Sequence, residues 1–245
     1  MKDYTPATYG DRIADNYDRM VTGAVPVEAL ERLAAGGRAL ELGIGTGRVA
    51  LPLAARGVEV HGIESSEAMV AKLRDKPGGD AIPVTVGDFA DFRVDGMFEL
   101  IFVVFNTFFM LTSQEQQVQC YARVAEHLGE GGVFLIEAFV PDPTRFTNGQ
   151  SVGISHLESD AVQLDLSRHD AAGQRVTCQH LVIDAAGTRL FPAQLRYAWP
   201  SELDLMARLA GLRLRERWGG WSGSRFTSSS TNHVSLYEHA PAGSA

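Results

Sequence analysis

The sequence has 245 residues, of which 45% are hydrophobic and 21% charged, and its formal net charge at pH 7 is −8. These values are ordinary for a globular protein and unlike those of a disordered chain. The acidic balance argues against a nucleic-acid ligand, because phosphate contacts require clustered Lys and Arg. The length predicts one large α/β domain, or one domain with an appendage.

The two cysteines, Cys120 and Cys178, fall in a predicted helix and a predicted strand. There is no CxxC pair and no Cys/His cluster, so we expect two reduced thiols and no metal site. The sequence starts without a signal peptide and contains no apolar run of membrane-spanning length. We therefore expect a soluble cytoplasmic protein with neither membrane nor nucleic acid as a partner.

The first 36 residues are predicted to lie on the surface of a larger domain. The stretch 9–18 has the spacing of a short helix, with Tyr9 and Tyr17 among its residues. It has too little apolar surface to be stable alone. A second helix is predicted to begin at Pro26 and to end at a pair of glycines.

A predicted strand ends in alternating glycines at residues 39–47, A-L-E-L-G-I-G-T-G. A helix is predicted over 48–56. A strand followed by glycines and then a helix is typical of sites that bind nucleotide-like ligands. Glycine lets the backbone come close to the ligand, and the first turn of the helix offers free N–H groups. The dinucleotide pattern G-x-G-x-x-G would need a glycine where Arg48 stands. The pattern from Glu41 to Gly47 is E-x-G-x-G-x-G.

Acidic residues mark the ends of the next two predicted strands. The strand over 58–64 ends in Glu64, which we expect at the rim of a pocket, within reach of ribose hydroxyls and of little structural importance. The strand over 82–86 is followed by Asp88, which can accept from an N–H donor, and Phe89, which can stack on a ring. Glu64 suits any nucleoside, whereas the Asp88-Phe89 pair is absent from the dinucleotide pattern.

A fourth predicted strand, 98–105, is continuously apolar, as expected of a parallel strand buried on both faces. It is followed by Asn106, where a doubly wound sheet changes direction and binds ligands. Phe105 and Asn106 are therefore candidates for ligand contact, although core packing explains a phenylalanine equally well. A helix over 113–128 and a fifth strand over 133–140 follow.

Residues 142–198 show no helical period. Two identical D-A-A-G turns at 170–173 and 184–187 stand 14 positions apart, and each predicts a type I turn closed by a left-handed glycine. Apolar and polar residues alternate between them, so we predict an antiparallel meander of three or four strands. A helix over 200–209 and a closing hairpin over 212–238 complete the chain.

These patterns resemble those of class I S-adenosylmethionine-dependent methyltransferases. The likeness rests on E-x-G-x-G-x-G at 41–47, on Glu64, on G-D-F at 87–89 and on L-G-E-G-G-V-F-L-I-E at 128–137. The inserted meander is similar to that of sugar-amine and of glycine or sarcosine N-methyltransferases. The resemblance implies an α/β fold with a Rossmann-like, doubly wound seven-stranded sheet, an antiparallel last strand and the inserted meander.

The resemblance also implies four parts of the chain, with S-adenosylmethionine as cofactor. Residues 1–36 form a lid and a helix, 37–141 the cofactor-binding core, 142–198 a β insertion that walls the substrate site, and 199–245 a helix and hairpin that complete the sheet. The residues implied in cofactor binding are Tyr17, Glu41, Gly43, Gly45, Gly47, Glu64, Ser65, Met69, Asp88, Phe89, Phe105 and Asn106.

The implied reaction is direct displacement, in which N or O of a small-molecule acceptor attacks the methyl group. The protein then mainly positions and desolvates the reactants. An amine acceptor needs only to be neutral, whereas a hydroxyl needs a general base. No motif identifies that base, and the candidates for catalysis are Tyr17, Tyr9 and His180, with two further histidines in the insertion.

Two alternatives stay open from the sequence. One is an NAD-dependent oxidoreductase, which Arg48 and the Asp88-Phe89 pair disfavour. The other is a methyltransferase-like enzyme whose cofactor is structural. The sequence leaves the acceptor open, and a homodimer is a further possibility.

Overall fold

The structure is a computed structural model that describes residues 1, 3–21, 23 and 25–241. Within these residues the α-helices are α1 (Thr8–Ile13), α2 (Tyr17–Met20), α3 (Val27–Ala34), α4 (Ala50–Ala54), α5 (Glu67–Arg74), α6 (Gln114–His127) and α7 (Pro200–Leu209). The strands are β1 (Arg38–Leu42), β2 (Glu59–Glu64), β3 (Val84–Val86), β4 (Phe98–Val103), β5 (Leu128–Phe139), β6 (Gln150–Leu157), β7 (Ala161–Asp170), β8 (Arg175–Asp184), β9 (Gly187–Arg196), β10 (Leu212–Trp218) and β11 (Asn232–His239). The end of the predicted C-terminal part, 242–245, lies outside the described residues.

The large sheet confirms the predicted fold class. Its seven strands have the order β10-β11-β5-β4-β1-β2-β3. Strand β1 pairs in parallel with β2 and β4, whereas the last strand, β11, is antiparallel to both of its neighbours. The strand order reverses between β1 and β4, and ligands of such sheets bind beyond the carboxyl ends of the strands at this reversal.

The packing of β4 explains its unbroken apolar sequence. Ile101 and Val103 belong to the hydrophobic cluster on one face of the sheet, and Leu100 and Phe102 to the cluster on the other. All four are completely buried. A parallel strand with helices or loops on both faces requires apolar residues at successive positions.

Several predicted element boundaries were wrong; the strands predicted over 82–86 and 98–105, for example, are the shorter β3 and β4. The helix predicted over 48–56 is only α4, because residues 46–49 continue the glycine turn. The stretch 9–18 is not one helix, since turn residues 14–16 separate α1 from α2. Strand β5 begins at Leu128 rather than at residue 133, because it stays paired with β4 on both sides of a glycine-rich bulge.

The insertion is an antiparallel sheet with the order β6-β7-β8-β9, which confirms the predicted meander. Its second predicted turn is closed by Gly187 at φ 116°, as expected. The first turn is closed instead by Gln174 at φ 52°, so the expectation of a left-handed Gly173 was wrong. The Asp170 carboxylate accepts the N–H of Gly173, and the loop therefore closes one residue later.

Candidate active site

A first cavity of about 260 Å³ opens at the carboxyl ends of β1 and β2. The glycine turn after β1 forms one wall, and the N-terminal segment with α1 covers it from the opposite side. The predicted site residues that line it are Tyr9, Tyr17, Gly43, Gly45, Glu64, Ser65, Met69, Asp88 and Phe89. The fold thus brings together residues from well-separated segments of the chain.

The three glycines of the turn all have positive φ but different surroundings. A Cβ on Gly43 would lie 2.6 Å from Thr107 Cγ2, and a Cβ on Gly47 would lie 2.3 Å from Leu73 Cδ1. A Cβ on Gly45 would meet no atom closer than 4.0 Å, although Gly45 lines the cavity. Gly43 and Gly47 therefore permit close packing, whereas Gly45 leaves open space beside exposed backbone for a ligand. The structure does not place Gly47 in the cavity wall.

Glu64 joins the glycine turn to the start of α5. Its Oε2 accepts the N–H of Gly45 at 2.8 Å, and its Oε1 accepts that of Ser66 at 2.9 Å. The residue is only 8% exposed, and this burial raises the pKa of its carboxyl against the lowering effect of the hydrogen bonds. The expectation of a rim carboxylate of little structural importance was wrong, because Glu64 both lines the cavity and holds its wall.

Glu41 lies behind the cavity rather than in its lining. It is 3% exposed, and burial raises its pKa well above the usual range while the charge of Arg48 opposes that rise. The Arg48 guanidinium donates to the Gly23 carbonyl at 2.9 Å and stacks 3.7 Å above the Phe105 ring. The phenol of Tyr17 lies near the same guanidinium, and its burial raises its pKa.

Asp88 and Phe89 line the cavity beyond β3. Asp88 Oδ1 accepts the N–H of Ala90 at 2.9 Å, which fixes the carboxylate at the cavity wall. Phe89 belongs to the hydrophobic core and still lines the cavity. The pair therefore presents a fixed acceptor beside an apolar ring.

The N-terminal segment, here called the lid (residues 3–20), is held in place by three aspartates. Each contacts a side chain of the glycine turn or of the α5 region. The pairs are Asp11–Ser66 at 2.6 Å, Asp15–Lys72 at 2.7 Å, Asp18–Thr46 at 2.6 Å and Asp18–Lys76 at 2.6 Å. A Cβ on Gly10 would lie 2.5 Å from Ser66 Cβ, so the lid packs directly on the start of α5.

Phe105 and Asn106 shape the loop after β4 but do not line the first cavity. Both have left-handed backbones, at φ 59° and 63°. The N–H of Phe105 donates to the Glu137 carboxylate at 3.0 Å, and Asn106 Oδ1 accepts the N–H of Phe139 at 2.7 Å. These hydrogen bonds hold a conformation that is costly for residues other than glycine.

Half of the residues that line the first cavity were not predicted from the sequence. The missed residues are Tyr4, Thr5, Pro6, Gly10, Thr107, Met110, Leu111, Thr112 and Gln116. The segment 107–112 directly follows Asn106, so the strand-end rule that selected Asn106 applied to it as well. Residues 4–6 carry no pattern that marks them as part of a site.

A second cavity of about 590 Å³ lies between the meander and the loop before β11. His180 and Asp165 line it, and their Nδ1 and Oδ1 atoms are 2.6 Å apart. The structure therefore places His180 outside the first cavity. The two cavities adjoin, because the rings of His180 and Tyr9 lie 6.3 Å apart, centroid to centroid.

The described ranges contain no group of three His, Cys, Asp or Glu side chains that could hold a metal ion. Cys120 is buried, Cys178 lines the second cavity, and both are free thiols whose pKa burial raises. None of the described helices is long and apolar enough to cross a membrane.

Comparisons with known proteins agree with this geometry. A family model described as "Methyltransferase domain" matches residues 39–132. The structure of the CcbJ methyltransferase from Streptomyces caelestis is similar with a TM-score of 0.89 at 43% identity, over 97% of this chain and 100% of that one. The cypemycin N-terminal methyltransferase from a Streptomyces species is 27% identical over 95% of this chain and 98% of its own length.

A further solved structure supports the fold alone. The sugar N-methyltransferase KedS8 from Streptoalloteichus has a TM-score of 0.68 at 21% identity, over 96% of this chain and 95% of that one. The full-length likeness to CcbJ at 43% identity, with the match to the family model, shows that the chain belongs to the class I S-adenosylmethionine-dependent methyltransferases. The family consists of transferases whose cofactor is S-adenosylmethionine, which is the cofactor that the sequence predicted.

Proposed function

We propose that this protein transfers a methyl group from S-adenosylmethionine to N or O of a small-molecule acceptor. The cofactor would occupy the first cavity, and the acceptor would enter through the second. The observation that carries this proposal is the open space beside Gly45, where a Cβ would meet no atom within 4.0 Å while backbone and carboxylate groups line the cavity. We also propose a cytoplasmic location.

The residues of the first cavity suit the parts of this cofactor. Glu64 would accept hydrogen bonds from the ribose hydroxyls, since its oxygens keep free lone pairs beside the two N–H groups they bind. Asp88 would accept from the adenine amino group, and Phe89 would pack on the ring. The Gly45 backbone would lie against the amino-acid end.

The bound cofactor supplies an activated methyl group on a positively charged sulfur. The protein would position the two reactants and exclude water from them. The lid covers the cavity, and Tyr9 lies between the proposed cofactor and acceptor sites. Holding two reactants in line can lower a barrier by about 7–11 kcal/mol. Burial raises the pKa of Tyr9 and Tyr17, so both would act as neutral hydrogen-bonding walls rather than as bases.

The names of the relatives support a natural-product acceptor. One acts on the N-terminus of cypemycin, and another, 28% identical over 62% of this chain, is named dTDP-4-amino-2,3,4,6-tetradeoxy-D-glucose N,N-dimethyltransferase. The second name specifies nitrogen as the methylated atom, and the first specifies the N-terminus of a peptide. The second cavity, at about 590 Å³, has room for a compact metabolite.

Calorimetry with S-adenosylhomocysteine and with NAD tests the cofactor site. We expect micromolar binding of S-adenosylhomocysteine and no response to NAD. Gly45→Ala should abolish binding, because its Cβ would fill the open space. Gly57→Ala is the matched control, since Gly57 also has a positive φ and free surroundings but lies away from the cavity.

The outcomes separate the alternatives. NAD binding without S-adenosylhomocysteine binding would refute the proposal, and equal losses in both glycine variants would show that backbone strain alone is responsible. Methyl transfer is then screened with primary and secondary amines and with phenols. Cofactor binding without transfer to any of them would favour an enzyme whose cofactor is structural.

A further inference from the structure

A histidine and an aspartate form a pair at the junction of the two cavities. His180 on β8 and Asp165 on β7 stand directly opposite in the strand register, and their Nδ1 and Oδ1 atoms are 2.6 Å apart. A carboxylate can only accept, so Nδ1 carries the hydrogen and Nε2 keeps its lone pair. The hydrogen bond from His180 lowers the pKa of the Asp165 carboxyl, which keeps it ionised at neutral pH.

The pair lines the cavity in which we place the acceptor. Both side chains line the second cavity, and the His180 ring lies 6.3 Å from the ring of Tyr9, which lines the first. No described residue forms a hydrogen bond with His180 Nε2.

The other titratable groups around this pair are unsuited to accept a proton. Tyr9 from α1 and Cys178 on β8 are held neutral, because burial raises the pKa of both. Arg145, before β6, carries a positive charge that helps to keep Asp165 ionised. His180 is thus the base that the junction offers, with the Asp165 carboxylate beside it.

We propose that His180, oriented by Asp165, takes the proton from the nucleophilic nitrogen of an amine acceptor; this rests on the function proposed above. The nitrogen lone pair forms the new bond to the methyl carbon while the carbon–sulfur bond breaks and leaves its electrons on sulfur. The N–H proton passes to His180 Nε2, and the resulting imidazolium is paired with the Asp165 carboxylate. No further reactant is needed.

The chemistry selects an amine rather than an alcohol. An imidazole changes its charge between about pH 5 and pH 8, which suits removal of a proton from an ammonium group or from the methylated product. An aliphatic hydroxyl is a far weaker acid and would need a stronger base. Asp165 also places a negative charge where an ammonium group would enter.

The test uses sinefungin, an analogue of S-adenosylmethionine with an amino-substituted carbon in place of the methylated sulfur. Its amino group takes the place of the methyl group and therefore faces the acceptor site. Calorimetry compares sinefungin with S-adenosylhomocysteine for the wild type, His180→Gln, Asp165→Asn and the control His156→Gln. His156 is the matched control, because it pairs with Glu158 at 3.5 Å on the exposed β6 and lines neither cavity.

We expect S-adenosylhomocysteine to bind all four proteins equally well. Sinefungin affinity should fall at least tenfold in His180→Gln and Asp165→Asn, by the usual strength of charged hydrogen bonds, and stay unchanged in His156→Gln.

Equal sinefungin affinity in all four proteins would overturn the proposal while leaving the cofactor site intact. Failure of the wild type to bind S-adenosylhomocysteine would instead refute the proposed function. Should one variant fail to fold in a thermal melt, the other decides, and wild-type affinity for sinefungin in that folded variant would count against the proton-accepting role.

Discussion

The two cavities are built in different ways. Backbone N–H groups, glycines and the buried Glu64 carboxylate shape the wall of the first. Side chains on the meander shape the second, and the outer strand of that sheet, β6, is exposed along most of its length. Backbone walls allow few substitutions, whereas side chains on a thin sheet can change without altering the fold. Under the proposed function, the first cavity would be the common part of such an enzyme, and the second would be the part that adapts to an acceptor.

The largest expected effect concerns Gly47. In Gly47→Ala the left-handed backbone costs about 1–2 kcal/mol, and moving the completely buried Leu73 adds about 1–3 kcal/mol. Denaturant unfolding should show this loss of stability. The control Gly187→Ala, in a hairpin of the meander with free surroundings, should lose only the backbone part and keep its affinity for S-adenosylhomocysteine. Similar losses at both sites would remove the distinction between the two regions.

A smaller effect on stability, with a large effect on binding, is expected for Glu64→Gln. The amide cannot accept both N–H groups, so the free protein should lose about 1–3 kcal/mol of unfolding free energy. Affinity for S-adenosylhomocysteine should fall roughly tenfold to a hundredfold in calorimetry. Asp170→Asn, which removes a carboxylate that holds an exposed turn of the meander, should change neither quantity appreciably. An unchanged affinity for S-adenosylhomocysteine in Glu64→Gln would show that the cofactor does not bind beside Glu64.

The next prediction concerns pH and Glu41. Because folding raises the pKa of this carboxyl, the folded state binds its proton more tightly, and the wild type should lose stability as pH rises from the unfolded pKa of about 4.3 towards the folded pKa. Glu41→Gln should lack this component. Unfolding curves at several pH values should therefore show that the unfolding free energy of the variant increases relative to that of the wild type as pH rises. A constant difference would mean that Arg48 fully compensates the buried charge.

The smallest effect is expected for the lid. Exposed ion pairs contribute about 0.2–1 kcal/mol each, so Asp18→Asn should weaken S-adenosylhomocysteine binding by less than about tenfold, and the difference should shrink at high salt. Asp184→Asn, which removes the partner of Arg189 on the meander, is the control and should leave affinity unchanged. A larger loss for the meander variant would contradict the separate roles of the two regions.

Local patterns predicted most of the fold and much of the first cavity. Buried strands and close backbone contacts restrict which residue types can occur. The local sequence therefore indicates the structural surroundings of the apolar run of β4, the glycines after β1 and the acid at the end of β2. The predicted boundaries of helices and strands were less accurate than their positions along the chain. The bulge at the start of β5 and the break between α1 and α2 depend on pairing and packing with distant residues.

The sequence by itself determined the sheet, the meander and several segments that line the first cavity, since these follow from period, glycine and strand-end chemistry. Only the tertiary structure decided that Gly47 packs against Leu73, that Glu64 holds the cavity wall, and that Asn106 fixes a loop. It also decided that Asp165 stands opposite His180, because strand register joins residues that no local pattern connects.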